Sequence, residues 1–295
     1  MKNTFALKYW SEKILLKRSG GTLERLSSLL AKSTIDLNPH QVQAAIFSFN
    51  SPLSRGCILA DEVGLGKTIE AGLVISQLSI EGKKKILIIA PASLRTQWQQ
   101  ELNTHFGLET MILDSKTHDK IAIRTGTSPL LDEKMFIASL QFAYKYRELI
   151  EKQNWDLIIV DEAHRLRSVY REKDSKIAYA LRNTLRNKPK LLLTATPLQN
   201  NLLELYGLVS FIDDKILGNQ YYFQSRFIKN LTKDPSLKNE TLQQLRNLLV
   251  GDQNDGSSGI ITRTLRKQVK EYVKFTTRHS FTYDFIPSDE EQLLY

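Results

Sequence analysis

Ala60-Asp61-Glu62-Val63-Gly64-Leu65-Gly66-Lys67-Thr68 is the stretch that decides the fold. It follows an apolar run, Cys57–Ala60, and opens a helix-period segment, Lys67–Ile80. Backbone N–H groups of a loop in that setting can wrap phosphate oxygens, and the helix N-terminus adds a favourable dipole. Gly64 and Gly66 permit backbone geometry and close approach that a side chain would block. Leu65 lies between them. Lys67 would reach the β- and γ-phosphates of a nucleotide and Thr68 would coordinate Mg²⁺. The strict pattern has glycine where Asp61 stands, so this is a relaxed phosphate-binding loop.

Working outward, short apolar runs recur at Ile86–Ala90, Met111–Leu113, Met135–Ala138, Leu157–Val160 and Leu191–Thr194. Runs apolar almost throughout are expected for strands buried on both faces of a parallel sheet. Between them the periodicity predicts helices over Ser93–Phe106, Leu140–Lys152 and Glu172–Arg182 as well as Lys67–Ile80. The alternation predicts a doubly wound α/β domain with a mostly parallel sheet flanked by helices. Ligands bind such folds beyond the carboxyl ends of the strands, so the chemistry should follow strands.

Two helical segments, around Phe5–Arg18 and Thr22–Lys32, precede the first strand, broken at Ser19-Gly20-Gly21. After Thr194 the pattern is helical to about Val250, and Gly251–Gly259 reads as a polar, glycine-bearing loop. Phe281, Tyr283 and Phe285 alternate as in a half-buried strand, and Ser288–Glu291 forms a capping box that starts a helix.

The chain has 295 residues with 41 basic and 32 acidic side chains, a surplus of +9 that suggests an anionic partner such as nucleic acid or only a soluble surface. A single cysteine, Cys57, excludes an intrachain disulfide and a cysteine-rich zinc site, and reads as a small core residue. No apolar run approaches the roughly 18 residues of a membrane span. The first 13 residues do not read as a signal peptide, so a cytoplasmic protein is expected.

Asp161-Glu162-Ala163-His164 follows the run Leu157–Val160. A carboxylate at the tip of a buried strand near a phosphate loop is where such enzymes hold Mg²⁺. Asp161 would supply that contact, and Glu162 would orient and partly deprotonate an attacking water. Alone the tetrapeptide is equally an acidic helix cap; the loop upstream favours the chemical reading.

The two motifs together resemble the superfamily 2 helicases, and the longer string from Asp61 to Leu73 resembles their SNF2-like branch. Leu37–Gln41 is similar to the family's Q motif, which implies that Gln41 reads the adenine. Pro91–Leu94, with Gln97, Trp98 and Glu101, resembles motif Ia, and Ser139-Leu140-Gln141 resembles motif Ib; Ser93 and Ser139 inherit nucleic-acid backbone contacts. Leu193–Asn200, with Glu204-Leu205 beyond, resembles motif III. His164, Thr194, Thr196 and Gln199 are thereby implied to couple the ATP site to the DNA track. Ile261–Val269 resembles the basic segment near the exit from the first lobe. Ala195 and His164 fit a bacterial member.

The resemblance implies an N-terminal helical extension over 1–36 and a first RecA-like lobe over 37–280, with a helical protrusion at about 219–260. It implies the start of a second lobe over 281–295, the rest of that lobe being a missing partner. It further implies ATP and Mg²⁺ as cofactors, duplex DNA as the track, and a motor that remodels protein–DNA complexes. With no opposing lobe to supply an arginine finger, little ATPase activity is expected from this chain alone. Two other readings remain open: a single-lobe nucleotide-sensing adaptor and a different P-loop enzyme such as a kinase.

Several residues carry two readings. His40, beside Gln41, reads as packing or hydrogen bonding before a metal ligand. Trp98 reads as half-buried packing before a base-stacking platform. Arg165, Arg167, Arg171, Lys173 and Lys176 suit either phosphate tracking or a solvated helix face. Arg263, Arg266, Lys267 and Lys270 divide the same way.

Overall fold

A computed structural model describes residues 37–51, 56–171, 175–229, 238–251 and 259–273. The helices expected around Phe5–Arg18 and Thr22–Lys32, the loop residues 252–258 and everything expected beyond residue 273 lie outside the described residues.

Every apolar run of the sequence forms a strand. They are β1 (Gly56–Leu59), β2 (Ile86–Ile89), β3 (Met111–Leu113), β4 (Met135–Ala138), β5 (Leu157–Val160) and β6 (Lys190–Leu193). A seventh strand not expected from the sequence, β7 (Ile261–Thr262), pairs with β1. The order is β3-β4-β2-β5-β6-β1-β7, and all pairs are parallel. β2, β4, β5 and β6 are buried along their whole length, which is why their residues, Lys190 of β6 apart, are apolar without alternation.

Alternate residues of each strand feed two cores. Ile58, Leu87, Ile89, Ile158, Val160 and Leu192 face one side; Cys57, Leu59, Ile86, Ile88, Ile159 and Leu191 face the other. Helices cover both faces, as parallel pairing requires. One side is closed by α1 (Pro39–Asn50), α2 (Lys67–Ile80) and α3 (Arg95–Phe106). The other is closed by α5 (Leu140–Lys145), α6 (Arg147–Lys152), α7 (Lys176–Leu185) and α8 (Leu202–Ile212), with a 3₁₀ helix over Ala163–Tyr170. α4 (Ser115–Thr125) lies between β3 and β4 in the chain.

Local chemistry sets the ends. Asp114, Ser139 and Asn201 accept N–H bonds from Thr117, Phe142 and Glu204 at the starts of α4, α5 and α8, and left-handed Gly107 and Gly126 close α3 and α4. At the C-terminus of α7 the buried ammonium of Lys190 donates to the carbonyls of Leu185, Arg186 and Lys188 at 2.7, 3.2 and 2.8 Å. A lysine is tolerated in a buried strand because helix-end carbonyls take its charge. Gly56 has φ +124°, and a Cβ there would overlap the Lys190 carbonyl.

Some expected boundaries move. The segment Leu140–Lys152 is two helices broken at Tyr146, and the segment expected over Glu172–Arg182 is helical from Lys176 to Leu185. The α3 segment opens with a 3₁₀ turn, Ala92–Leu94, before Arg95. α1 and α4 are helices not expected from the sequence. The helical region after Thr194 resolves into α8, α9 (Gln220–Phe223) running into a π-helical turn (Gln224–Ile228), and α10 (Lys238–Val250). Among the described residues no helix is long and apolar enough to cross a membrane.

Candidate active site

Strand order sets out the motifs along one edge of the sheet. From β4 through β2, β5, β6 and β1 to β7, the carboxyl ends carry Ser139, Ser93, Asp161 with Glu162, Thr194, the 60–68 loop, and Thr264 with Arg266. The loop's helix N-terminus and the acidic pair are separated by one strand, β6, and Thr194 leaves that strand between them. This edge is the ligand-binding edge of a doubly wound sheet.

The loop is built around left-handed glycines. Gly64 has φ +83° and Gly66 φ +90°, and Gly66 is the N-cap of α2. The Lys67 ammonium donates to the Asp61 carbonyl at 2.8 Å. Thr68 is half-buried in the first turn of α2, where backbone N–H groups have no carbonyl within the helix. Leu65 is buried, and its carbonyl accepts from Gln41 Nε2 at 2.9 Å and lies 2.9 Å from His40 Nε2. Gln41 Oε1 in turn accepts the Asn38 N–H at 3.0 Å. The Q-motif glutamine is therefore clamped between the start of α1 and the loop, and a Cβ on Gly66 would overlap its amide nitrogen.

Asp61 explains its own departure from the strict loop pattern. It is fully buried, and its Oδ1 accepts the Thr264 N–H at 2.7 Å. A glycine could not make that bond. Beneath the loop, Asp61, Glu70 and His40 are all buried, with donor atoms within 4.8 Å of one another. Burial first, then the Asp61 charge, pushes the Glu70 carboxyl well above the usual carboxylate range. His40 also stacks on Tyr272, ring centres 6.0 Å apart. Packing and hydrogen bonding, as its sequence context suggested, occupy His40.

At the tip of β5, Asp161 is buried and Trp98 donates its indole N–H to Oδ2 at 2.8 Å. The expectation that Trp98 is half-buried packing is corrected: it is 2% exposed and holds the carboxylate of the second motif. Its signal lay in the spacing, since Leu94, Trp98, Leu102 and Phe106 recur every fourth residue along one helix face. Burial raises the Asp161 pKa, while the Trp98 indole and the Glu162 N–H pull against that rise. Glu162 has φ +49°, the sole positive φ outside glycine among the described residues. Such a strained conformation marks a residue whose surroundings fix it, often at a functional site. Its carboxylate lies 3.0 Å from His164 Nδ1, close enough to pair with a protonated ring but not aligned as a hydrogen bond.

Thr194 is buried, its N–H bonded to Leu59 O and its hydroxyl accepting the Thr196 N–H at 3.2 Å. Thr196 and Gln199 are exposed. Glu204, buried at the start of α8, gathers the loop beyond: Oε2 accepts the Gln199 and Asn200 N–H groups, both at 3.0 Å, and Oε1 takes the Asn200 side chain. Arg167 Nε lies 3.5 Å from the same carboxylate, tying the 3₁₀ helix after Asp161 to the Thr194–Asn200 segment. Arg165 is exposed. Ser93 is exposed on the turn after β2, and Ser139 caps α5, accepting the Phe142 N–H at 3.1 Å. Sequence reasoning gave Thr264 and Glu70 no individual role and read Arg266 as phosphate-tracking or solvated; Thr264 and Arg266 instead reach the loop from more than 200 residues away.

Fold and site define a RecA-like P-loop lobe of the helicase type. The chain belongs to the SNF2-related domain family, whose model matches residues 17–292. It is 38% identical over 196 residues to an uncharacterised ATP-dependent helicase, YqhH, of Bacillus subtilis (strain 168), across 65% of this chain and 32% of that one. It is 33% identical over 237 residues to the RNA polymerase-associated protein RapA of Proteus mirabilis (strain HI4320), across 78% of this chain and 23% of RapA. The chain thus spans about a third or less of the length of these relatives. The SWI2/SNF2 ATPase core of Sulfolobus solfataricus, solved in complex with dsDNA, shares the fold. Its TM-score is 0.64 at 23% identity, over 79% of this chain and 45% of that core.

Proposed function

We propose that this chain is the ATP-binding lobe of a motor that moves on duplex DNA and remodels protein–DNA complexes. The observation that carries the reading is the row of strand tips β5, β6 and β1, which sets Asp161 and Glu162, Thr194, and the glycine loop side by side. Residues 37–280 would form the lobe, with a helical protrusion at about 219–260.

The donor set suits a nucleotide triphosphate with Mg²⁺. Gly64 and Gly66 leave room at the loop for phosphate, and Lys67 needs only to exchange one carbonyl for phosphate oxygens. Thr68 and Asp161 would hold Mg²⁺, which when bound neutralises charge on the terminal phosphates. Trp98 orients the Asp161 carboxylate and opposes the rise that burial imposes on its pKa. Glu162 would orient the attacking water and take its proton, with His164 beside it to respond to that charge. Gln41 would read the adenine from its place against the loop. Glu204 and Arg167 would carry a change at Asp161 to Thr196 and Gln199, and Ser93, Ser139 and Arg165 would meet the DNA backbone. The relatives named RapA make RNA polymerase the first protein partner to try.

The test is ATP hydrolysis with and without duplex DNA, for this chain and for a form joined to a second lobe, each beside Lys67→Ala. The reading expects DNA-stimulated turnover in the longer protein, abolished by the substitution, and slow turnover here. In such enzymes an arginine from an opposing element is worth about 10³–10⁵ in rate. Turnover that ignores both DNA and Lys67→Ala would overturn it.

A further inference from the structure

The segment after β7 lies along the phosphate loop as a strap. Ile58 and Ala60 donate to the carbonyls of Ile260 and Thr262, continuing the sheet. Past the strand, the Glu62 N–H donates to Thr264 O at 3.1 Å and the Thr264 N–H to Asp61 Oδ1. The Arg266 N–H then donates to Glu62 Oε2 at 2.6 Å. Its guanidinium closes on the crown, with Nε and Nη2 donating to Val63 O at 3.0 and 2.7 Å.

Peptide planarity turns this grip into a statement about the loop's donors. Across a trans peptide the carbonyl of one residue and the N–H of the next point in opposite directions. With Val63 O drawn to Arg266, the N–H of Gly64 faces away from the guanidinium. With Leu65 O drawn to His40 and Gln41, the N–H of Gly66 faces away from α1. Left-handed glycines have little steric preference of their own, so the orientation of these two N–H groups depends on what holds the neighbouring carbonyls. Tyr272, on the same strap, stacks on His40 and so joins the two grips.

The structure assigns Arg266 as a positioning residue for phosphate binding: it fixes the Val63–Gly64 peptide so that Gly64 presents its N–H to the phosphates, without touching the nucleotide. This rests on the nucleotide-site reading above. It also makes strap docking and nucleotide binding reciprocal, because whatever loosens the strap must weaken binding by the same factor that binding tightens the strap.

The experiment pairs amide hydrogen exchange over residues 62–66, measured without nucleotide, with equilibrium binding of a fluorescent ATP analogue. The proteins are the wild type, Arg266→Ala, Arg266→Lys and the exposed control Arg263→Ala. Arg266→Ala is expected to speed exchange across the crown and weaken binding roughly three- to tenfold, the net worth of one such hydrogen bond. Arg266→Lys keeps the charge but loses the two-nitrogen fork and falls between; Arg263→Ala matches the wild type. Unchanged exchange in Arg266→Ala overturns the assignment, and a drop in affinity without faster exchange reduces Arg266 to bulk charge. If the wild type binds no nucleotide, the nucleotide-site reading fails while the exchange comparison still decides whether Arg266 sets the crown.

Discussion

The indole N–H of Trp98, in the first turn of α3, lies 2.8 Å from Oδ2 of Asp161 at the tip of β5. Burial raises the pKa of this carboxyl, and the indole is the strongest influence opposing that rise. Trp98→Phe retains most of the packing and removes the donor. A hydrogen bond to a charged group is worth about 1.5–3 kcal/mol, so a loss of stability of that order is expected by denaturant titration. Nucleotide binding by the variant should require more Mg²⁺ than by the wild type, which a titration at fixed nucleotide reads directly.

Glu204 accepts from Gln199 and from both nitrogens of Asn200, and Arg167 pairs with it at 3.5 Å. Burial works to raise its pKa, but these donors together outweigh it and hold the carboxyl below its ordinary value. The ionised form therefore stabilises the fold above the ordinary carboxylate pKa, and that stability is lost as pH falls through the lowered folded value. Glu204→Ala leaves these donors without their charged acceptor, and a loss of about 1–3 kcal/mol at neutral pH is expected. The gap between wild type and variant should close as the solution is acidified; a gap independent of pH would contradict the network.

Gly66 combines φ +90° with the Gln41 amide where a Cβ would stand. Gly66→Ala must pay roughly 1–2 kcal/mol for the left-handed backbone and displace Gln41. Fluorescent-nucleotide binding should be lost, and the melting temperature should fall by several degrees.

Cys57 is buried in β1, and burial pushes its thiol up to about 12. Only the thiolate is nucleophilic, so the folded protein should resist iodoacetamide at pH 8 and take up one equivalent once denatured. Rapid labelling under native conditions would mean that β1 opens.

How far the sequence could be read depended on the range of the interactions. The six apolar runs and the 60–68 loop are local patterns, and each became the expected element. Asp161 was legible as a strand-tip carboxylate, but its partner Trp98 was not, because a 63-residue separation leaves no mark beyond the four-residue spacing of α3. β7 is two residues long and carries no periodicity of its own. Its role, like that of Arg266, comes entirely from being brought beside β1. Glu70, in the run Ile69–Leu73, takes its meaning only from Asp61 and His40 placed next to it.

β7 also bears on how the chain is made. Until residues 260–266 have left the ribosome, β1 has no neighbour on one side, and the loop that follows it has no strap. An unpaired strand of that kind is an aggregation hazard. Pairing across some 200 residues is a slow step, because a long loop must close before any contact rewards it. The most local motif in the sequence is thus completed by the last of the described strands to be synthesised. A ribosome-stalled chain ending near residue 250 should hold its other strands while leaving the crown of the loop open to proteases.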